Sequence, residues 1–243
     1  MGDGGSGEQL VVPRRFNGPP ESGNGGFTCG LAAALLEARA AEVSLRSPPP
    51  LDTPLRSERD GGAVRLLASG QLVADASPLE AVDVDVPGPV APPVAHDASA
   101  RYPWYEEHPF PTCFVCGPRR PDRDGLSIFA GQVAGRDLYA CDWTPASEWD
   151  RGDGLVRDEI VWAALDCPSA VAAAAGLGTG PRPAVLARLA ASIDDAPAVG
   201  EQHAVISWPI GIDDRKRQAG SAILDSEGRV RAHARALWIE LRG

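Results

Sequence analysis

The stretch that decides the fold occurs twice, as Gly62-Ala-Val-Arg-Leu-Leu-Ala-Ser-Gly-Gln-Leu-Val-Ala-Asp-Ala76 and as Gly220-Ser-Ala-Ile-Leu-Asp-Ser-Glu-Gly-Arg-Val-Arg-Ala-His-Ala234. The two copies keep a constant offset of 158 residues. Each copy has apolar residues on both sides of a short polar turn that contains a glycine, Gly70 or Gly228. This pattern predicts a β-hairpin, and its recurrence at one offset indicates a duplicated structural unit.

Each hairpin has an apolar helix upstream of it, predicted at about 25–40 and 157–174. Because the stretches 27–36 and 160–165 are apolar nearly all round, both helices are expected to be buried. The sequence therefore predicts an α+β fold of two fused units, each an antiparallel sheet around a buried central helix. The predicted strands of the two units are 41–47, 62–68 and 71–84, then 126–133, 137–143, 184–193, 201–210, 217–225 and 229–241.

A proline-rich segment at 86–112 divides the chain. It predicts an extended linker without helix, between an N-terminal unit at 8–85 and a C-terminal unit at 113–243. The glycines at 176–180 predict a loop that ends the second helix.

The composition is that of a globular protein, with 44% hydrophobic and 23% charged residues in 243. The net charge of -10 argues against a nucleic-acid partner, which would favour a basic surface. No apolar run is long enough to cross a membrane, and the first eight residues do not resemble a signal peptide. A cytoplasmic location is expected.

The five cysteines are an odd number, which argues against a disulfide framework. Cys113-Phe-Val-Cys116 has the spacing of half a zinc site, but no second such pair is present. The sequence therefore predicts buried free thiols and no metal.

Two further motifs carry a resemblance to a known family. Cys113-Phe-Val-Cys-Gly117 is followed by Gly125-Leu126, and the first helix is preceded by Ser22-Gly-Asn24-Gly25-Gly26. These motifs resemble those of hotdog thioesterases related to the phenylacetate-pathway enzyme, which carry His-Gly-Gly at the start of the central helix and an Asp nine residues after that His. The resemblance spans about 10–84 and 113–241 and implies a double hotdog that acts on an acyl-CoA or related pantetheine thioester, without a cofactor.

The chain departs from the family at both His positions, where Asn24 and Arg157 stand. Nine residues later come Ala33 in the first unit and Asp166 in the second. In the family, the helix start of one unit supplies an N–H group and the other unit supplies the carboxylate. The resemblance therefore implies one competent site that joins Gly25 with Asp166. It also implies a second pairing, of the Asp158 region with Ala33, that lacks a reactive group.

Physical chemistry supports these roles. A free N–H at a helix start, with Asn24, Gly25 or Gly26 as candidates, can stabilise an oxyanion. Asp166 could act as base or nucleophile, and burial beside Trp162 should raise its pKa. The alternatives are that Asn24 is only a helix cap and that Asp166 accepts backbone hydrogen bonds at a helix break before Pro168.

The substrate-binding candidates are Gly26, Arg157, Trp162 and the basic cluster Arg215-Lys216-Arg217. The cluster could hold the phosphates of coenzyme A, or could be the solvated start of a strand. The preferred interpretation is an acyl-thioester hydrolase. A non-catalytic acyl-CoA or lipid-binding protein and a hotdog dehydratase or hydratase are the alternatives, and a monomer or a homodimer is expected.

Overall fold

The computed structural model describes residues 9–121, 124–174 and 184–241. The predicted glycine loop at 176–180 lies outside these residues. The first unit contains β1 (Gln9–Val11), α1 (Gly25–Ala33), β2 (Ala40–Leu45), β3 (Pro54–Asp60), β4 (Ala63–Ala68) and β5 (Gln71–Leu79). After α2 (Pro92–Ser99), the second unit contains β6 (Gly131–Gln132), β7 (Tyr139–Trp143), α3 (Asp158–Ala174), β8 (Ala184–Ile193), β9 (His203–Asp213), β10 (Lys216–Leu224) and β11 (Val230–Glu240).

The strands of both units form one sheet, which within the described residues has eleven strands in the order β1-β3-β4-β5-β2-β8-β11-β10-β9-β7-β6. Neighbouring strands are antiparallel. The units join where β2 pairs with β8, from Ala40 opposite Ser192 to Ser44 opposite Arg188. The sheet is therefore continuous across the boundary between the units.

The two quoted stretches form the hairpins β4–β5 and β10–β11, as predicted. Gly70 and Gly228 have φ angles of 83° and 79°, a region that glycine adopts without steric cost. Each hairpin also has a bulge that leaves one residue out of the pairing, Val73 in the first and Arg231 in the second. These two residues occupy equivalent positions at the 158-residue offset.

The central helices α1 and α3 pack directly against each other through two glycines of α1. A Cβ at Gly26 would overlap the Asp166 side chain, and a Cβ at Gly30 would lie 2.5 Å from Glu159 Cα. Only glycine permits so close an approach of two helix backbones. This packing brings the N-terminus of α1 onto Asp166 in the middle of α3.

The prediction that 86–112 contains no helix is wrong, because α2 lies within it. Pro92 and Pro93 occupy the first turn of α2, where the N–H that proline lacks would have no helical partner. Ala95 and Ala98 are fully buried in a small cluster with Ile206 and other residues of the second unit. The predicted boundaries between the units stay a prediction.

Four other elements differ from the predictions. The first helix ends at Ala33 instead of residue 40, and the strand predicted at 126–133 is paired only at Gly131–Gln132. The sequence prediction missed β1 and β3, because β1 is short and the charged residues of β3 obscure its buried positions Leu55 and Ser57. No helix in the described part of the chain combines the length and the hydropathy that crossing a membrane requires.

Candidate active site between the two central helices

Asp166 lies on α3 and is almost completely buried, with 1% of its surface exposed. Its Oδ2 accepts hydrogen bonds from the Gly26 N–H (2.9 Å) and from Asn24 Nδ2 (3.0 Å), both at the start of α1. Its Oδ1 has no hydrogen-bond partner among the described residues. The structure thus brings together the carboxylate and the helix start that the sequence placed in different units.

The helix-break alternative for Asp166 finds no support in this geometry. α3 continues through Pro168 to Ala174. The Ser169 hydroxyl donates to the Asp166 carbonyl oxygen (2.6 Å), while the carboxylate itself is bonded to α1. The carboxylate therefore interacts with the other unit and not with a break in its own helix.

Burial raises the pKa of Asp166 to about 7, against the opposing effect of the hydrogen bonds from Gly26 and Asn24. A carboxylate removed from water loses solvation of its charged form, whereas N–H donors favour that form. The raised pKa agrees in direction with the expectation from the sequence. Trp162 and Leu165 are also buried, as expected, but Trp162 faces a different pocket.

Asn24 caps α1 and also contacts the carboxylate. Its Oδ1 accepts the Phe27 N–H (2.8 Å), and its Nδ2 donates to Asp166. The Asn24 side chain therefore caps the helix and contacts the candidate base at the same time. The Gly26 N–H already donates to Asp166. Among the described residues, the Gly25 N–H at the same helix start donates to no acceptor.

A pocket of about 640 Å³ opens at this point, and Asn24, Gly25 and Asp166 all line it. Its walls are largely apolar and come from both units and from the segment that connects them, including Leu45, Trp104, Phe110, Ala173, Leu186 and Trp238. The sequence prediction missed the contribution of the connecting segment, because that segment was expected to be only an extended linker.

Three cysteines form a cluster on one wall of the same pocket. The sulfur atoms of Cys113, Cys116 and Cys167 all lie within 4.8 Å of one another, and Cys113 Sγ is 3.6 Å from Cys167 Sγ. Hydrogen bonds from the Cys116 and Cys167 thiols lower the pKa of Cys113. All five cysteines are buried, and none of them forms a disulfide. The spacing of Cys113 and Cys116 is visible in the sequence, but the contact with Cys167 is not, because Cys167 is 54 residues from Cys113.

The second pairing expected from the sequence, Asp158 with Ala33, lines a separate pocket of about 370 Å³. The Asp158 carboxylate forms an ion pair with Arg151 (3.3 Å). Trp162 also lines this second pocket. The alanine side chain that stands at the position equivalent to Asp166 has no group for acid–base chemistry.

Arg157 lines neither of these two pockets. Its backbone N–H donates to the Trp149 carbonyl oxygen (2.9 Å), and its guanidinium lies 5.7 Å from the Trp149 ring centroid. It also forms an ion pair with Glu159 (3.5 Å). Arg157 and Trp162 were predicted to bind substrate, and the structure places both away from the larger pocket.

The basic cluster divides between pocket and solvent. Arg217 lines the larger pocket and forms an ion pair with Glu240 (2.8 Å). Arg215 donates to the Glu240 carbonyl oxygen (3.2 Å), and the exposed Lys216 pairs with Asp213 (3.6 Å). Of the three, only Arg217 is in the pocket wall.

No protein-family model and no curated protein matches this chain. Solved structures do: a candidate thioesterase from Novosphingobium aromaticivorans is 16% identical over 97% of this chain and 95% of its own, with a TM-score of 0.62. The tesB protein of Mycobacterium avium subspecies paratuberculosis is 10% identical over 96% of this chain and 91% of its own, with a TM-score of 0.60. The fold is the double hotdog. A hot dog fold protein of unknown function from Alicyclobacillus acidocaldarius covers 100% of the chain and 96% of its own, at 11% identity and a TM-score of 0.51.

The expected fold class is thereby confirmed. At 10–16% identity, the likeness establishes the fold and leaves the activity to be argued from the site. In this double hotdog, the Asp166 site lies where the central helices of the two hotdogs meet.

Proposed function

We propose that the protein hydrolyses an acyl thioester, with acyl-CoA as the substrate class, at the site formed by Asp166 and the start of α1. The observation that carries the proposal is the convergence of a buried carboxylate and a helix N-terminus on one apolar pocket. Neither unit supplies both groups.

Asp166 is the proposed general base. The bonds from Asn24 and Gly26 fix Oδ2 and orient the carboxyl group, which leaves Oδ1 to accept a proton. Oδ1 takes a proton from water as the water oxygen adds to the thioester carbonyl carbon. Collapse of the tetrahedral intermediate breaks the carbon–sulfur bond, and the departing thiolate takes up the proton from Asp166.

The Gly25 N–H is the proposed oxyanion donor. It is the first N–H of α1 and lies at the positive end of the helix dipole. As water adds, the carbonyl oxygen becomes negatively charged, and a fixed N–H that has no other acceptor can stabilise this charge without reorganisation. The substrate carbonyl is therefore placed against Gly25, with its carbon facing Asp166.

The rest of the pocket suits an acyl group and its carrier. The apolar walls can bury an acyl chain, and Arg217 in the wall can contact a polar part of a pantetheine carrier. Contact between Arg215 or Lys216 and the coenzyme A phosphates stays a prediction, as do a cytoplasmic location and a monomeric or homodimeric state.

The test measures thiol release from a panel of acyl-CoAs by the wild type and by Asp166→Asn. Asparagine keeps an oxygen that can accept from Gly26 and Asn24 but cannot act as the base, so kcat should fall by about 10²- to 10⁴-fold. Asp158→Asn is the matched control, since it removes the acid at the start of the other central helix, and it should keep wild-type turnover. Equal turnover by Asp166→Asn and the wild type would exclude Asp166 as the base.

Two outcomes of the same panel would favour other functions. Tight acyl-CoA binding without thiol release by the wild type would favour a non-catalytic binding protein. A dehydratase needs a second acid–base group beside Asp166, and His108 lines the same pocket. Conversion of a 3-hydroxyacyl-CoA to an enoyl-CoA without thiol release would favour that activity.

A further inference from the structure

We propose that Cys113, Cys116 and Cys167 bind one thiophilic divalent cation, with Zn²⁺ as the expected ion, beside the Asp166 site. The two segments that supply the thiols are far apart in sequence and meet only in the folded chain. Metal binding by this cluster does not depend on the proposed hydrolase activity.

The sulfur positions fit a tetrahedral ion. With Zn–S bonds of about 2.3 Å, tetrahedral geometry places sulfur atoms about 3.8 Å apart. Cys113 and Cys167 are already separated by 3.6 Å, and no pair in the cluster exceeds 4.8 Å. Small side-chain rotations would therefore bring all three sulfurs to bonding distance of one ion.

The backbone holds the first two ligands in place. The Gly117 N–H donates to the Cys113 carbonyl oxygen (2.9 Å) and closes the turn that contains Cys113 and Cys116. A Cβ at Gly117 would lie 2.5 Å from Cys113 N, so this turn requires glycine. Cys167 is fixed independently by its position on α3.

The fourth coordination position is left to water or a ligand from the pocket, because all three cysteines line that pocket. His108 lines it too, and its Nε2 is buried without a partner among the described residues. However, His108 Nδ1 accepts the Phe110 N–H (2.8 Å), so the neutral ring carries its proton on Nε2. His108 thus offers a hydrogen-bond donor at this wall and not a metal ligand.

A metal here would connect to the Asp166 site through Asn24. Asn24 Nδ2 lies 3.7 Å from Cys167 Sγ and also donates to Asp166. Binding would release the thiol protons, and the Asn24 amide would then donate to a metal-bound thiolate. The ion would tie the segment at 113–116 to α3 next to the carboxylate.

The test measures zinc in the full-length protein, purified under reducing conditions and after incubation with Zn²⁺ and removal of unbound ion. The wild type should contain one zinc per chain by elemental analysis. Cys113→Ser and Cys167→Ser should lose it, while Cys141→Ser, which removes a buried cysteine outside the cluster, should keep it. Far-UV circular dichroism checks that each variant is folded.

Cobalt gives a second measurement that needs only the wild type. Co²⁺ in place of Zn²⁺ should give intense thiolate-to-cobalt charge-transfer absorption and the visible bands of a tetrahedral site. Wild-type protein that takes up neither ion stoichiometrically would overturn the proposal. So would a disulfide between Cys113 and Cys167 that persists under the reducing conditions, or zinc retention by both serine variants.

Discussion

Two substitutions at Gly25 can distinguish the role of its N–H group from the steric effect of adding a side chain at this position. Gly25→Pro removes the N–H, whereas Gly25→Ala keeps it. A Cβ at this position would meet Leu186 Cδ2 at 2.9 Å and Leu186 Cβ at 3.0 Å, so both variants crowd the same side chain. The comparison between them therefore isolates the proposed oxyanion donor.

The backbone at this point is compatible with proline. Gly25 is the first residue of α1, a position at which proline is favoured. Asn24 has φ -60° and ψ 132°, an extended conformation that suits the residue before proline. Both variants should consequently fold, with similar losses of thermal stability from the contact with Leu186.

Loss of one oxyanion donor costs about 2–4 kcal/mol of transition-state stabilisation. This corresponds to a decrease in kcat/KM of about 30- to 900-fold for Gly25→Pro relative to Gly25→Ala. The assay is thiol release from the best acyl-CoA of the panel, with thermal denaturation as the check on folding. If the two variants have equal kcat/KM, the Gly25 N–H is not the oxyanion donor.

Three further predictions address the helix packing, a buried histidine and the basic cluster. Gly30→Ala should lower the free energy of unfolding by about 1–3 kcal/mol, because its Cβ would lie 2.5 Å from a backbone atom of α3. Gly211→Ala, with no atom within 4 Å of the new Cβ, should cost less in the same chemical denaturation experiment, and equal losses would contradict the packing argument. Burial lowers the pKa of His203 in the folded protein. Below about pH 6.5 the imidazole therefore binds a proton more readily in the unfolded chain than in the folded one, and the free energy of unfolding falls. His203→Gln should show a shallower fall between about pH 6.5 and pH 5, and an unchanged slope would refute this assignment. Lys216→Gln should raise KM for acyl-CoA but not for the acyl-pantetheine thioester that lacks the nucleotide, and equal KM effects on both substrates would exclude phosphate contact.

The sequence predicts the second unit better than the first. The strands at 184–193, 201–210, 217–225 and 229–241 agree closely with β8–β11, because they are long and apolar and end at clear turns. In the first unit, β3 carries four charged residues in seven, which weakens the apolar alternation of a strand. The helix α2 was missed because its prolines are typical of an extended chain. Proline is also favoured in the first turn of a helix, where Pro92 and Pro93 lie.

The candidate site could be predicted in part because its residues stand at motif positions. Asp166 and the Asn24-Gly25-Gly26 stretch were found from the spacing that resembles the hotdog thioesterases. The sequence could not show that the Gly26 N–H bonds to the carboxylate, because that contact depends on the separation of α1 and α3. The third cysteine of the cluster and the pocket wall near Trp104 also depend on contacts between distant segments.

Whether the two units form one site can be seen in a crystal structure with a non-hydrolysable acyl-CoA analogue, in which a methylene replaces the thioester sulfur. The acyl group should occupy the pocket of about 640 Å³. Its carbonyl oxygen should lie about 3 Å from Gly25 N, with the carbonyl carbon facing Asp166. A carbonyl bound in the smaller pocket beside Ala33, or one in the larger pocket with its oxygen away from Gly25, would contradict the claim that the two units form one site.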